Sequence, residues 1–193
     1  MMTRITILLG IMVAFAICVT APAYANHGTG SGSWLDGSVT YHCMDTLDDL
    51  STTSNVDTCS DIAEAVKAWN DVDLSFELSK VQSNGESMYG AKNLASQIRG
   101  INSNTVSNSG GATITYADIS FNTDHMWADR VGNDWWKVWL CYDFISVAMH
   151  ESGHTIRLTH DSASTLMKSS HSCGEVYRTL SNHDEAAVEA KYP

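Results

Sequence analysis

Apolar residues alternate with polar ones at several places along the chain, and elsewhere they recur at helical spacing. Ser38-Val39-Thr40-Tyr41-His42-Cys43 alternates as a half-buried strand does, just after the turn pair Asp36-Gly37. Asp45 to Thr58 is polar and reads as a loop. Ser60 can cap a helix whose apolar positions Ile62, Ala65, Val66 and Trp69 fall on one face. Leu74 to Leu78 alternates again and predicts a second strand. From Gln82 to Gly111 the chain is rich in Asn, Ser and Gly, which predicts irregular structure with at most one short strand. Thr113 to Phe121 has strong β character behind Gly110-Gly111. Trp127, Trp135, Trp136 and Trp139 cluster in a loop region, where core and loop packing is the ordinary role of such rings. Asp143 suits the N-cap of a helix beginning at Phe144, and Ser181 the N-cap of a last helix through about Lys191. No internal repeat is present, so one domain is the economical reading.

The N-terminus follows a different pattern. Arg4 precedes an uncharged apolar run from Ile5 to Val19, and Ala23-Tyr24-Ala25 ends it as a signal peptidase site does. The run is shorter than the roughly 20 residues a spanning helix needs, which argues against a permanent membrane anchor. The expectation is a signal peptide over residues 1–25, a flexible lead-in over 26–35 and one domain over 36–193, in a secreted protein. Cys18 leaves with the signal, and Cys43, Cys59, Cys141 and Cys173 remain in an oxidising compartment, where an even number suggests two disulfides. Four cysteines allow three connectivities and the sequence does not choose; Cys43–Cys59 with Cys141–Cys173 is the pairing favoured here.

Charge narrows the partners. The chain has 22 Asp+Glu against 11 Lys+Arg, a net charge of -11. A strongly acidic chain lacks the basic footprint that binding to nucleic acid requires, so that class is disfavoured.

The candidate chemistry lies in His150-Glu151-Ser152-Gly153-His154, on the helix that Asp143 caps. Residues four apart stand one turn above each other, so both imidazoles can reach one metal ion. Glu151, beside the first of them, is placed to take a proton from a water at that ion. His160 follows six residues after His154 and completes a set of three. Three neutral histidines with an open fourth position suit a catalytic zinc, not a closed structural one. His27, His42, His125, His171 and His183 lack such spacing and read as packing or surface residues.

The run from His150 to Asp161 resembles the long zinc motif of the metzincin metallopeptidases, and Ser164-Thr165-Leu166-Met167 resembles their Met-turn. Three further stretches are similar to the matrixin branch: the segment with Ala65, Trp69, Val72, Leu74 and Phe76, the run Phe144 to His154, and the end from Leu180 through Tyr192. The resemblance implies an α+β, zincin-like fold with a twisted, mixed five-stranded sheet and three helices. It implies zinc at His150, His154 and His160, Glu151 as general base, Met167 beneath the metal, and a protein or peptide substrate; a monomer is a separate expectation. Calcium in the acidic loops is a further implication, though no EF-hand-like spacing marks a site. The chain departs from the pattern in four ways. Arg157 stands at the glycine of a left-handed turn, and Asp161 replaces the branch's usual serine. Lys168-Ser169-Ser170-His171 replaces a Tyr-Pro segment, and no cysteine-switch motif precedes the domain.

Two rivals remain on the residues alone. Glu175 could serve as a third ligand in a thermolysin-like site, but it sits between Cys173-Gly174 and a strand-like Val176-Tyr177, without the helix such a site needs. The other is a secreted, zinc-containing binding module of the same fold with little or no turnover, which Arg157 favours and the intact Glu151 opposes.

Overall fold

The computed structural model describes residues 32–34, 37–53, 55–72, 75–107, 113–129, 142–162 and 166–193. Strands β1 (Ser38–Cys43), β3 (Glu77–Lys80), β4 (Ser87–Lys92), β5 (Gly100–Ser107) and β6 (Thr113–Asn122) form one sheet, in the order β3-β1-β4-β6-β5. Neighbours pair in parallel except β5, which runs antiparallel to β6 at the edge. The parallel step from β1 to β3 needs a crossover, and helix α1 (Thr58–Asn70) supplies it. Short strands β2 (Ser51–Thr52), β7 (Met126–Ala128) and β8 (Tyr142–Asp143) make a second small sheet. Helices α2 (Phe144–Thr155) and α3 (Asn182–Lys191) complete the expected mixed sheet with three α-helices.

The helices form where the pattern places them. Ile62, Ala65, Val66 and Trp69 of α1 are all buried. Its N-cap is Asp57, not Ser60; the Asp57 side chain accepts from the Ser60 backbone N–H, so Ser60 lies inside the first turn. Asp143 caps α2 by accepting from Ser146 N–H, and Ser181 with Asp184 forms a reciprocal capping box on α3. Almost every residue of α2 is buried, because α1 lies on one side of it and the sheet on another. Trp69 Nε1–H donates to Met149 O at 2.9 Å, and the Tyr89 hydroxyl of β4 meets Ser152 Oγ at 2.8 Å. Ser152 itself donates to Ala148 O at 2.7 Å, which leaves the tyrosine as donor in that pair. The helix that carries the motif is thus tied to its neighbours through buried polar contacts as well as packing.

The region 82–111 differs from its expectation. It holds two strands, β4 and β5, and β4 lies at the centre of the sheet. Asp45–Asp49, read as loop, forms a turn of 3-10 helix, and β2 follows it. Buried Asn122 ties down much of the loop between β4 and β5, and His125 adds a contact of its Nε2 with Ile98 O at 3.1 Å. Asn122, fully buried, donates from Nδ2 to Ile98 O at 2.7 Å and Ala95 O at 3.2 Å, and its Oδ1 accepts from Leu94 N–H at 3.1 Å and Asp124 N–H at 3.0 Å. Cys43 and Cys59 are joined, as expected, linking β1 to the start of α1. Cys141, and with it the second expected pair, lies outside the described residues, as do Trp135, Trp136, Trp139 and the segment 1–25. Among the described residues no helix is long and apolar enough to cross a membrane.

Candidate active site

His150 and His154 lie one turn apart on α2, and the chain must then reverse to bring His160 back over them. The reversal is a Schellman motif: Leu158 N–H donates to Gly153 O at 3.0 Å and Arg157 N–H to His154 O at 3.0 Å. Arg157 occupies its left-handed position with φ +68°, where a non-glycine residue costs about 1–2 kcal/mol. Beyond the turn, Asp161 N–H donates to Met167 O at 2.8 Å, and the Asp161 carboxylate lies 2.7 Å from His183 Nε2 of α3.

The result is a convergent triad. The Nε2 atoms of His150, His154 and His160 stand 3.1, 3.2 and 3.3 Å apart. Two of the rings are oriented from behind: His150 Nδ1 lies 2.7 Å from Leu166 O, and His154 Nδ1 2.7 Å from Leu158 O. A carbonyl oxygen can only accept, so each Nδ1 carries the hydrogen and each Nε2 presents a lone pair inward. Three lone pairs aimed at one point repel unless a cation lies between them. Nitrogens bound tetrahedrally at about 2.0–2.1 Å stand about 3.3–3.4 Å apart, close to the observed spacing. The donor set therefore fits a zinc ion, and it is the group of possible ligands that geometry finds among the described residues. Burial, and after it the neighbouring His154, holds the His150 ring well below the ordinary histidine range. Burial likewise holds His154 down at about 4 and lowers His160. All three favour the neutral form that ligation needs.

Glu151 faces the same cavity, a space of about 330 Å³ also lined by residues 97–102, Val147 and residues 169–171. The carboxyl is buried and is pushed up to about 8 by that burial. Met167 is fully buried against α2, where a Cβ on Gly153 would stand 2.5 Å from its Sδ. Glu175 is elsewhere: its carboxylate pairs with Lys168 Nζ at 2.6 Å and accepts from Ser172 N–H at 2.7 Å, so it is not brought to the histidines.

Several residues at the site escape a reading of the sequence. Gly100, Asn102 and Asn104, two apart on β5, turn one face of the edge strand toward α2. Asn102 Nδ2 donates to Glu151 O at 3.0 Å and Thr155 Oγ1 at 2.8 Å, and Asn104 Nδ2 to His154 O at 3.3 Å. Gly100 leaves room for the Glu151 carboxylate, since a Cβ there would stand 2.7 Å from Oε1. His171, expected as a packing residue, is buried with Nε2 2.9 Å from Leu166 O, the same carbonyl that orients His150. The Gly-x-Asn-x-Asn alternation was the available signal for β5, but polar residues every second position point to a partner only once the partner is known. Comparison with known proteins completes the picture. No curated protein matches the chain, whereas the family model described as Matrixin matches residues 33–193. That match spans most of the molecule, sheet, helices and histidine triad together, and the chain belongs to the matrixin family of zinc metallopeptidases.

Proposed function

We propose that the protein is a secreted zinc endopeptidase in which His150, His154 and His160 hold the metal and Glu151 is the general base. The observation that carries this reading is the convergence of three Nε2 atoms within 3.1–3.3 Å beside the carboxylate of Glu151. Zinc, when bound, acidifies a water and polarises the scissile carbonyl. The chain's own groups do the rest. Glu151 adjoins a ligand on the same helix, so its carboxylate reaches the attacking water without joining the ligand set. It takes the proton from that water and returns it to the departing amide nitrogen. Asn102 holds the Glu151 backbone and Gly100 leaves space for its side chain, so the base is confined to one position. Met167 floors the site through its contact with α2. The triad and the base lie on α2 and the loop that follows it, and a monomer is the proposed working unit. The apolar run and Ala23-Tyr24-Ala25 support export, with residues 1–25 removed and the catalytic domain over 36–193.

Glu151→Gln should keep zinc content and fold while lowering kcat on an unfolded protein substrate by at least ~10²-fold. The endopeptidase reading fails if the zinc-loaded wild type cleaves no faster than this variant. That outcome, with zinc still bound, would favour the binding-module alternative.

A further inference from the structure

The chain carries twice as many acidic as basic residues, yet among the described residues the cavity beside the triad is lined by a single carboxylate, the buried Glu151. A second lobe past His154 and His160, lined by Asn104, Arg157, Leu158 and Thr159 among others, has none among the described residues. On the lobe beside Glu151 stands Arg99, the residue just before β5. Its guanidinium lies over the Tyr142 ring, 5.1 Å from the centroid, and donates from Nη1 to Gln97 O. Its Nε is buried without an acceptor, and among the described residues no carboxylate lies within ion-pair reach of it. The other cation near this lobe, Lys168, is already neutralised by Glu175. Exposed Ser169 and Ser170 line the same lobe and can donate hydroxyl hydrogens.

A planar cation stacked on a ring, with most of its N–H groups unused, is pre-organised for a forked bond to a carboxylate. Among the described residues no exposed acid lines this lobe to repel a carboxylate. Resting on the endopeptidase reading above, we infer that Arg99 is a specificity residue that reads a carboxylate side chain of the substrate near the cleaved bond. The net negative charge of the whole protein opposes polyacidic substrates at long range. The preference is therefore for one Glu or Asp at one subsite, not for acidic chains in general.

The test uses peptides of one sequence in which Glu, Gln or Lys is scanned through the positions flanking the cleaved bond. Cleavage is measured with the zinc-loaded protein, and binding by fluorescence anisotropy with its Glu151→Gln variant. At one position Glu should exceed Gln by about tenfold in kcat/KM and in affinity, the scale of one charge-assisted bond. Arg99→Gln should bring that ratio to about one, and Arg99→Glu should turn the preference to Lys. Lys80→Met, which removes an exposed cation far from the cavity, should keep the wild-type ratio. Cleavage with no Glu preference at any position, or a preference that survives Arg99→Gln, overturns the inference and leaves the peptidase reading standing. Absence of cleavage with a Glu-over-Gln binding ratio that Arg99→Gln abolishes does the reverse.

Discussion

Replacing Gly100 by Ala tests the placement of the general base without touching a metal ligand. The added Cβ would lie 2.7 Å from Glu151 Oε1, 2.9 Å from its Cγ and 3.0 Å from its Cδ. Such atoms rest at about 3.5 Å, so something must give by roughly 0.5–1 Å. The strand cannot easily retreat. Gly100 is paired with Phe121 of β6, the Arg99 carbonyl accepts from Asn122 N–H at 2.9 Å, and Asn102 is bonded to α2. The helix is held by Trp69 at the Met149 carbonyl and by Tyr89 at the Ser152 hydroxyl. The free end of the Glu151 side chain is what moves. A displacement of that size at a proton-transfer group costs about 10- to 100-fold in rate. Zinc content should be unchanged, because His150 and His154 keep their carbonyl partners. Stability should change by less than about 1 kcal/mol, since alanine also restricts the unfolded chain. The assay is kcat on an unfolded protein, with metal analysis and thermal melting on the same preparation. Full activity in Gly100→Ala would refute the reasoning, and so would zinc loss in proportion to activity.

Asn122→Asp should destabilise the protein by about 2–4 kcal/mol in urea titration, because a buried carboxylate would face the Ala95 and Ile98 carbonyls that the amide now serves; a loss below about 0.5 kcal/mol would show that the clamp is dispensable. Asp61, buried in α1 with Oδ2 unpartnered, has its carboxyl pushed up to about 6 by burial first and by Asp129 next. A raised folded-state pKa means its contribution is full below about 4 and is lost as pH rises through 6, so unfolding free energy should fall by about 1–3 kcal/mol across that window. Asp61→Asn should remove this part of the pH dependence, and an unchanged slope in the variant would refute the assignment.

What could be read from the sequence follows from how local each signal is. The face Ile62, Ala65, Val66 and Trp69 is set by helical spacing alone, and burial of all four confirms it. The three histidines are legible because helical geometry and one short loop determine their meeting. Strand β5 is not, since its inward positions are Gly100, Asn102 and Asn104 in place of apolar residues. The two asparagines bond groups on α2 some fifty residues away and Gly100 makes room for Glu151, so an amphipathic pattern never forms. Asn122 hides for the same reason: its partners are loop carbonyls that only the pairing of β4 with β6 brings near. Ser60 and Asp57 were both competent caps by type, and the difference lies in where the chain enters the helix, which no side-chain preference determines.

Two of the three metal-facing rings, His150 and His154, owe their direction to main-chain carbonyls that lie beyond the end of α2. Leu158 O orients His154 and Leu166 O orients His150, so both depend on the reversal that Arg157 initiates. The left-handed turn costs about 1–2 kcal/mol. Against it stand the two Schellman bonds, the Leu158 and Leu166 contacts, and the Asp161 N–H bond to Met167 O, each worth about 1 kcal/mol net. The balance favours the turn even with arginine in the glycine position. Those same bonds fix the tautomer and direction of two of the three donor rings, so the reversal at Arg157 and the ligand set form one connected structure.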